Sequence, residues 1–483
     1  MPESRDHTDT TLYATLGAIF AGLFIYSQTR AFVWDEGFHL LAARLIREGR
    51  RPYLDFCFPQ TPLNAYINAA WMSIFGETWR STHVLATMWL CGAIFLTVDF
   101  VDRRFPVAAW RLPAAVFTAV LIVSAYDIAA FGTVAQAYAI CLFLTVASFR
   151  LAAAAVRRSN LALIAAAGFC AGASAACSML TAAAIPVILA WCVLRSEGAR
   201  WKTGASFVTA AVIPWAPVVW LFTQGPRQVF FNVIQYQALY RRVNWGEATP
   251  HDLQVFLGVS ESPPALMLIL LGAAGLAFVA RKSGWDRSLR SEIYLSCAIA
   301  VAIAAELWTA HPTFERYFLL TVPFLAIPAA VGMFVVGSKL YRADRPWPSV
   351  ALACALGVLG LATQFYEDRD SLKWRQMQQV ADKVAEVTPA GASLYADEIT
   401  YFLTHRAPPP GMEFSYGHKL NLPAAQEAMF HLLPEAKLDE MVARKTFATA
   451  ESCDDDDMER LKLESLYAEQ ASVATCKVFW KLK

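Results

Sequence analysis

LALIAAAGFCAGASAACSMLTAAAIPVILAWCVL, residues 161–194, is a stretch without a single charged side chain. One continuous helix of this length would measure about 50 Å at 1.5 Å per residue, whereas the hydrocarbon core of a bilayer is about 30 Å thick. The stretch therefore predicts a hairpin of two membrane helices that turns near Ser178. Gly168 and Gly172 favour close packing of the first of these helices against a neighbour.

The composition of the whole chain agrees with a membrane protein. Of 483 residues, 57% are hydrophobic and 17% are charged, whereas soluble domains have about 45–50% and 25%. Lys and Arg number 41 and Asp and Glu number 40, so the formal net charge is +1. This balance provides no field that would attract a nucleic acid, and a DNA- or RNA-binding function is excluded.

Hydropathy predicts an α-helical polytopic membrane protein with about eleven transmembrane helices. The first span is expected to be a retained helix rather than a cleaved signal peptide, because no clear small-residue cleavage site follows it. The predicted spans are Leu12–Ser27, His83–Phe100, Leu112–Ala125, Val134–Ala155, Leu161–Ala176, Leu180–Leu194, Gly204–Phe222, Pro264–Ala280, Ile293–Trp308, Tyr317–Val336 and Ser349–Gln364.

The distribution of Lys and Arg predicts the orientation in the membrane. Basic residues gather in alternate short connections, for example at 103–104, 157–158 and 281–282, and these connections are expected to be cytoplasmic. The amino terminus is then expected in the cytoplasm, and the protein in the inner membrane of a bacterium. Residues 1–366 form the predicted membrane module, with long outer loops at 30–80 and 224–262. An odd number of spans places the tail, residues 367–483, in the periplasm.

The tail is predicted to be a small α/β domain. Helical periodicity covers 373–387, 424–432 and 438–444, and β-type runs cover 392–395, 446–450 and 476–480. The acidic run Asp454–Asp457 lacks the spacing of a calcium loop and is interpreted as a solvated turn.

The cysteines indicate no metal site. Of the ten cysteines, those inside predicted spans are small apolar residues, and no metal-ligand spacing occurs among them (Cys91, Cys141, Cys170, Cys177, Cys192, Cys297 and Cys354). Cys453 and Cys476 lie in the outer tail, where an oxidising compartment allows a disulfide. The sequence leaves open whether they form one.

The most informative segment follows the first span. Trp34-Asp35-Glu36-Gly37 opens an amphipathic stretch whose apolar positions fit one helix face, so a helix lying in the membrane interface is expected. Asp35 could be the N-cap of this helix and Glu36 a first-turn acid favoured by the helix dipole. A catalytic role for the acids is the alternative. Phe58-Pro59-Gln60-Thr61-Pro62-Leu63 and a second amphipathic run, 64–75, come next.

This order of elements resembles the GT-C class of membrane glycosyltransferases, which includes protein O-mannosyltransferases, the aminoarabinose transferase of lipid A and galacturonosyltransferases of lipopolysaccharide. The shared features are the acidic pair after the first span, two interface helices, a large outer loop between spans seven and eight, and an outer α/β tail. The resemblance implies transfer of a sugar, with inversion, from a polyprenyl-phosphate donor to an acceptor on the non-cytoplasmic face.

The resemblance also implies roles for the acids. Asp35 is placed to take the proton of the acceptor hydroxyl as a general base. Glu36 would orient or hydrogen-bond the sugar. Asp127, in a short outer connection, would hold the sugar or orient the acceptor, or would simply be a water-exposed acid at a helix end.

Cations are expected where the donor phosphate binds. In the family an Arg-Tyr pair in this region engages the phosphate, which assigns Arg316 and Tyr317, with His311 nearby, to substrate binding. The alternative is that Arg316 anchors a helix end and pairs with Glu315. Glu306 is costly in lipid and is expected to face the same cavity.

The long outer loop adds Tyr240 and Arg241 as candidates to cover the donor, although Tyr and Trp are also enriched in interface belts. Gln60 is a further binding candidate. The aminoarabinose transferases have a Glu-Lys pair where this chain has Gln60-Thr61, which removes a metal ligand and an amine. We therefore expect no zinc there, no cofactor, and a donor sugar other than aminoarabinose; a divalent cation is not indicated.

Three classes of function stay open. The first is a glycosyltransferase acting on lipopolysaccharide core, lipid A or another envelope glycan, or on protein hydroxyls. The second is a transporter or flippase of polyprenyl lipids, which should show repeated halves or broken helices. The third is a non-catalytic partner in envelope assembly, which leaves the placement of the acidic pair unexplained.

Overall fold

The structure, a computed structural model, describes residues 3–31, 33–244, 248–259, 261–281, 284–310, 312–341 and 343–483. Up to residue 367 it is helical. The helices are α1 (Glu3–Ser27), α2 (Val33–Arg47), α3 (Leu63–Phe75), α4 (Trp79–Arg104), α5 (Ala108–Ser124), α6 (Tyr126–Phe131), α7 (Tyr138–Arg158), α8 (Leu161–Cys177), α9 (Ala184–Arg195), α10 (Arg200–Val212), α11 (Ala216–Gln224), α12 (Pro226–Phe230), α13 (Tyr236–Asn244), α14 (Ala248–Val259), α15 (Pro263–Arg281), α16 (Arg287–Thr309), α17 (Val322–Leu340) and α18 (Trp347–Glu367).

The membrane helices agree with the hydropathy prediction. Within the described ranges, eight helical segments are long and apolar enough to cross a bilayer, and three shorter apolar helices, 108–124, 161–177 and 179–195, complete the predicted eleven. The seventh predicted span consists of α10 and α11, joined by a 3-10 turn at Ile213–Trp215. The fold class of a polytopic helical membrane protein is confirmed.

The uncharged stretch 161–194 forms the predicted helical hairpin, which turns at Ser178 as expected. Helix α8 ends at Cys177, Ser178 caps it, and α9 follows after a 3-10 turn. Gly168 and Gly172 face α10 so closely that a Cβ would lie 2.2 Å and 1.9 Å from the backbone oxygens of Phe207 and Ala211. These two glycines therefore set the distance between α8 and α10.

The tail is the small α/β domain predicted from sequence. It contains α19 (Trp374–Val387), β1 (Leu394–Tyr395), α20 (Glu398–Thr404), α21 (Ala424–Phe430), α22 (Glu435–Ala443), β2 (Thr449–Ser452), α23 (Asp455–Arg460), α24 (Leu463–Leu466), β3 (Tyr467–Val473) and β4 (Cys476–Leu482). The strand order is β1-β2-β4-β3; β1 and β2 are parallel and the other pairs are antiparallel.

Two details of the tail differ from, or complete, the prediction. The acidic run is the start of α23 rather than a turn, because Asp454 accepts a hydrogen bond from the Asp456 amide and the acids favour a helix N-terminus. Cys453 and Cys476, left open by the sequence, form a disulfide between the ends of the neighbouring strands β2 and β4.

The apolar side chains form one core among the membrane helices and a second that joins α2 and α3 to the tail. In the second core, Trp79 stacks on Trp374 with ring centroids 4.4 Å apart. Helix α2 was expected to expose a polar face, but His39 and Arg44 on that face are buried. Arg44 donates to the Tyr401 carbonyl at 2.8 Å, and Gly37 lies against the backbone of α20. The tail therefore packs directly on the helix that carries the acidic pair.

Candidate active site

A cavity of about 150 Å³ lies where α2, α13 and the tail meet the ends of the membrane helices. Its walls are aromatic and polar, which is typical of sites for small polar ligands. It is lined by Asp35, Phe38, His39, Gln60, Gln136, Ala137, Tyr138, Ser178, Leu180, Tyr236, Gln237, Tyr240, Phe314, Arg316, Tyr317, Phe414 and Tyr416.

Asp35 forms an ion pair with Arg316 at this cavity. Arg316 Nη2 donates to Asp35 Oδ2 at 2.8 Å, and each side chain is 19% exposed. The Tyr416 hydroxyl donates to the other carboxylate oxygen at 3.3 Å. Asp35 lies within the first turn of α2, which begins at Val33, so it is not the N-cap that the sequence allowed. Its carboxylate is directed to the cavity.

The segment that carries Arg316 is held by α14, in the long loop 224–262. Asp252, buried in α14, accepts a hydrogen bond from the Thr313 amide at 2.7 Å, and His251 Nε2 lies 3.1 Å from the Thr313 carbonyl oxygen. The Arg316 guanidinium lies 4.3 Å from the centroid of the Phe314 ring, a cation–π contact. These contacts fix the position of the cation.

Glu36 does not line the cavity. Its side chain is fully buried on the other side of α2, where Oε1 accepts a hydrogen bond from the Ala135 amide at 2.9 Å and contacts His83 Nε2. The structure thus places it against the segment between α6 and α7, away from the position expected for a group that hydrogen-bonds the sugar.

Asp127 lies in α6, in the connection between the spans α5 and α7, near the ion pair but not among the residues that line the cavity. Burial raises the pKa of its carboxyl to about 7; the negative charge of Glu315 adds to this, and Arg316 and Arg30 oppose it. Asp127 therefore changes its charge near neutral pH, within the electrostatic reach of Arg316.

The other predicted residues divide into three groups. Tyr317, Gln60 and Tyr240 line the cavity with Arg316. Glu306 was expected to face it, but its carboxylate accepts a hydrogen bond from the Ala183 amide at 2.9 Å and so caps the start of α9. His311 and the side chain of Arg241 lie outside the described residues.

Sequence reasoning missed His39, Gln136, Tyr138 and Tyr416, which all line the cavity. The spacing of His39 four residues after Asp35 could have suggested it, because residues i and i+4 share a helix face. The other three lie in irregular segments or at a helix start, where no periodicity shows which way a side chain points.

Metal ligands are sparse in the described part of the chain. One group there brings potential ligand atoms together, Glu451, Cys453 and Cys476, and its two cysteines are joined in the disulfide. The expectation that Gln60-Thr61 binds no zinc stays a prediction.

By sequence, the chain matches no known protein-family profile and no curated protein. Its structure is similar to that of ArnT, an aminoarabinose transferase from Cupriavidus metallidurans. With ArnT bound to undecaprenyl phosphate, the TM-score is 0.69 at 14% identity, over 97% of this chain and 98% of that one. With apo ArnT, the TM-score is 0.68 at 14% identity, over 99% and 98%.

The chain has the GT-C fold. The similarity covers the membrane helices and the tail together, since almost the whole of both chains is matched. The GT-C fold implied by the acidic pair and its neighbouring elements is therefore confirmed at the level of architecture. At 14% identity the similarity supports the fold alone, and the activity rests on the residues of the site.

Proposed function

We propose that this protein is an inverting glycosyltransferase that moves a sugar from a polyprenyl-phosphate donor to an envelope acceptor. The observation that carries the proposal is the Asp35–Arg316 pair in a polar and aromatic cavity of a GT-C fold. A carboxylate and a guanidinium are the two groups that this reaction needs, one as a base and one for the phosphate. A similar fold, that of ArnT, has been crystallised with undecaprenyl phosphate.

The chemistry balances with these groups. The acceptor hydroxyl oxygen attacks the anomeric carbon of the sugar from the face opposite the phosphate, and the bond between that carbon and the phosphate oxygen breaks. The polyprenyl phosphate leaves with the bonding electron pair, and the hydroxyl proton moves to Asp35. Arg316 stabilises the charge that develops on the phosphate. Because the phosphate is a good leaving group, the reaction does not require a second acid.

The ion pair links the base to the donor site. Asp35 accepts from both Arg316 and Tyr416. A phosphate bound by Arg316 would compete with Asp35 for the guanidinium, so the contact that holds the base and the contact that holds the donor share one cation. Asp35 and Arg316 therefore act together rather than as separate binding and catalytic residues.

The acceptor is expected on the periplasmic side, because the Lys and Arg distribution places the tail and the cavity there. Lipopolysaccharide core, lipid A or another envelope glycan fits this side of a bacterial inner membrane. Protein hydroxyls are the competing acceptor. The mechanism assigns no step to a metal ion, since Gln60-Thr61 offers neither a carboxylate nor an amine at the entry to α3, and we expect transfer to persist in EDTA.

The test is complementation of a deletion strain, followed by mass spectrometry of its envelope lipids, glycans and proteins. The wild-type gene should restore a species that carries one additional sugar, and Asp35→Asn should not, at equal membrane abundance. Asp382→Asn makes the same chemical change on the exposed surface of α19 and serves as the control.

If the deletion strain still contains every sugar-bearing species of the parent strain, the proposal is wrong. A flippase would give a different result: purified protein in liposomes would move a polyprenyl-phosphate sugar between leaflets without consuming it, and no acceptor would gain mass.

A further inference from the structure

Two buried polar side chains in the cavity have atoms without a hydrogen-bond partner among the described residues. His39 is 6% exposed and Gln136 is 4% exposed, and both line the cavity with Asp35. The unpartnered atoms are His39 Nδ1 and the Gln136 amide oxygen Oε1. An unsatisfied buried polar atom costs about 1–3 kcal/mol, so the cavity favours a ligand that supplies the missing partners.

Both side chains are held in place by the surrounding fold. His39 lies one helical turn after Asp35, and its ring stacks on Phe38 with centroids 4.4 Å apart. Gln136 belongs to the segment between α6 and α7, and its neighbour Ala135 is bound on both sides. Glu36 accepts from the Ala135 amide, and Asn68 donates to the Ala135 carbonyl at 3.2 Å.

The charges that line the cavity are already balanced. Among the described lining residues, Asp35 and Arg316 are the charged pair, and they neutralise each other. Burial lowers the pKa of His39 to about 3, so its ring is neutral at physiological pH. The remaining polar lining groups are amides and hydroxyls. The donor phosphate bound by Arg316 adds a negative charge, so the carboxylate of an acidic sugar would be buried here without a counter-charge, which is costly.

We infer that His39 and Gln136 hydrogen-bond hydroxyl groups of the donor sugar, and that this sugar carries no acidic group. The inference rests on the proposed function and adds the class of the sugar, which excludes uronic acids. Size agrees with it. A single water-sized group needs roughly 10–15 Å³, so the cavity of about 150 Å³ has room for several polar groups of a sugar.

The experiment measures affinities of the purified full-length chain in nanodiscs. The probes are undecaprenyl phosphate alone and the same lipid phosphate linked to glucose, mannose, galactose or arabinose, to 4-amino-4-deoxyarabinose, or to galacturonic acid. Each competes with a fluorescent undecaprenyl phosphate. At least one neutral conjugate should bind roughly tenfold or more tightly than the unglycosylated lipid, because two hydrogen bonds are gained. The galacturonic acid conjugate should show no such gain.

The variants assign the preference to the two side chains. Gln136→Leu and His39→Phe keep the approximate shape but remove the polar atoms, so each should lower the gain from the sugar by about tenfold. Gln136→Glu adds an uncompensated carboxylate and should shift the preference towards the amino sugar. The control is Gln378→Leu on the exposed face of α19, which should leave the preference unchanged.

The outcomes separate the inference from the function on which it rests. If undecaprenyl phosphate itself does not bind, the proposed function fails. If it binds but no neutral conjugate binds more tightly, or if the galacturonic acid conjugate binds best, the inference about the sugar is wrong while the proposed function stands. A preference that persists in both apolar variants would also overturn the assignment to His39 and Gln136.

Discussion

Replacing Asp35 and Arg316 singly and together tests whether the two residues act as one unit. Their side chains meet at 2.8 Å and are each 19% exposed. At an effective dielectric constant of about 20, two unit charges at this distance attract each other by about 6 kcal/mol before the cost of desolvation. Most of this is offset by desolvation, and a net coupling of about 1–3 kcal/mol is expected for residues in direct contact.

The single variants have different expected losses. Asp35→Asn keeps the size of the side chain but removes the base, which should reduce the transfer rate roughly 10²–10⁴-fold. Arg316→Ala removes a charge-assisted phosphate contact, which should cost roughly ten- to hundredfold. It also removes the ion-pair partner of Asp35.

The double variant decides between the two models. If the residues act independently, the two losses multiply. If they act as a unit, the transfer rate of the double variant should be within about tenfold of that of the less active single variant, as is found for catalytic groups that work together. The assay is the initial rate of transfer with the donor and acceptor identified by complementation. If the loss of rate in the double variant equals the product of the two single losses to within about threefold, the coupled mechanism is wrong.

Three further predictions concern other residues. In the wild type, Asp127 ionises as the pH rises through about 7 and then competes with the phosphate for Arg316, so the apparent donor affinity should fall. In Asp127→Asn this fall should be absent. Donor KM between pH 5.5 and 8.5 measures the effect, and the same pH profile in the variant and the wild type would count against it. Glu36→Leu should lower kcat and raise donor KM. Glu36→Gln should retain activity, because its side-chain oxygen can still accept from the backbone amide that Glu36 binds. An equal loss of activity in both variants would mean that the charge itself is needed. Removing the Cys453–Cys476 disulfide should lower the free energy of unfolding of the tail by about 3 kcal/mol, as measured by denaturant unfolding. If the tail is periplasmic, an impermeant maleimide should label Cys453 in intact cells only after reduction.

Hydropathy was sufficient to predict the membrane helices because every span carries its own signal. The uncharged stretch 161–194 predicted both the hairpin and the close packing of Gly168 and Gly172 without knowledge of any partner helix. In the tail, β3 was missed because its burial pattern does not alternate regularly, and only Tyr467 at its start is buried. Such an edge strand is specified by its pairing with β4, which a local pattern does not show.

The site was predictable only in part, because it is assembled from distant segments. Asp35 and Arg316 are separated by 281 positions. The resemblance to GT-C enzymes assigned both to the donor site, but their ion pair was not predicted, because no local pattern shows it. His39 occupies a polar position of an amphipathic helix, and the sequence cannot distinguish a solvent-facing position from one that faces a cavity. The structure resolves this by covering the polar face of α2 with α20.

The tail is part of the site rather than a separate module beside it. Tyr416 extends from the tail to Asp35, and the tail helix α20 packs so closely on α2 that a Cβ at Gly37 would lie 2.9 Å from the Ile399 amide nitrogen. The same helix receives the buried Arg44 guanidinium at the Tyr401 carbonyl. These two contacts lie about two turns apart along α2, so its first turn cannot rotate independently. The position of the proposed base is therefore determined by the tail domain as much as by the membrane helices.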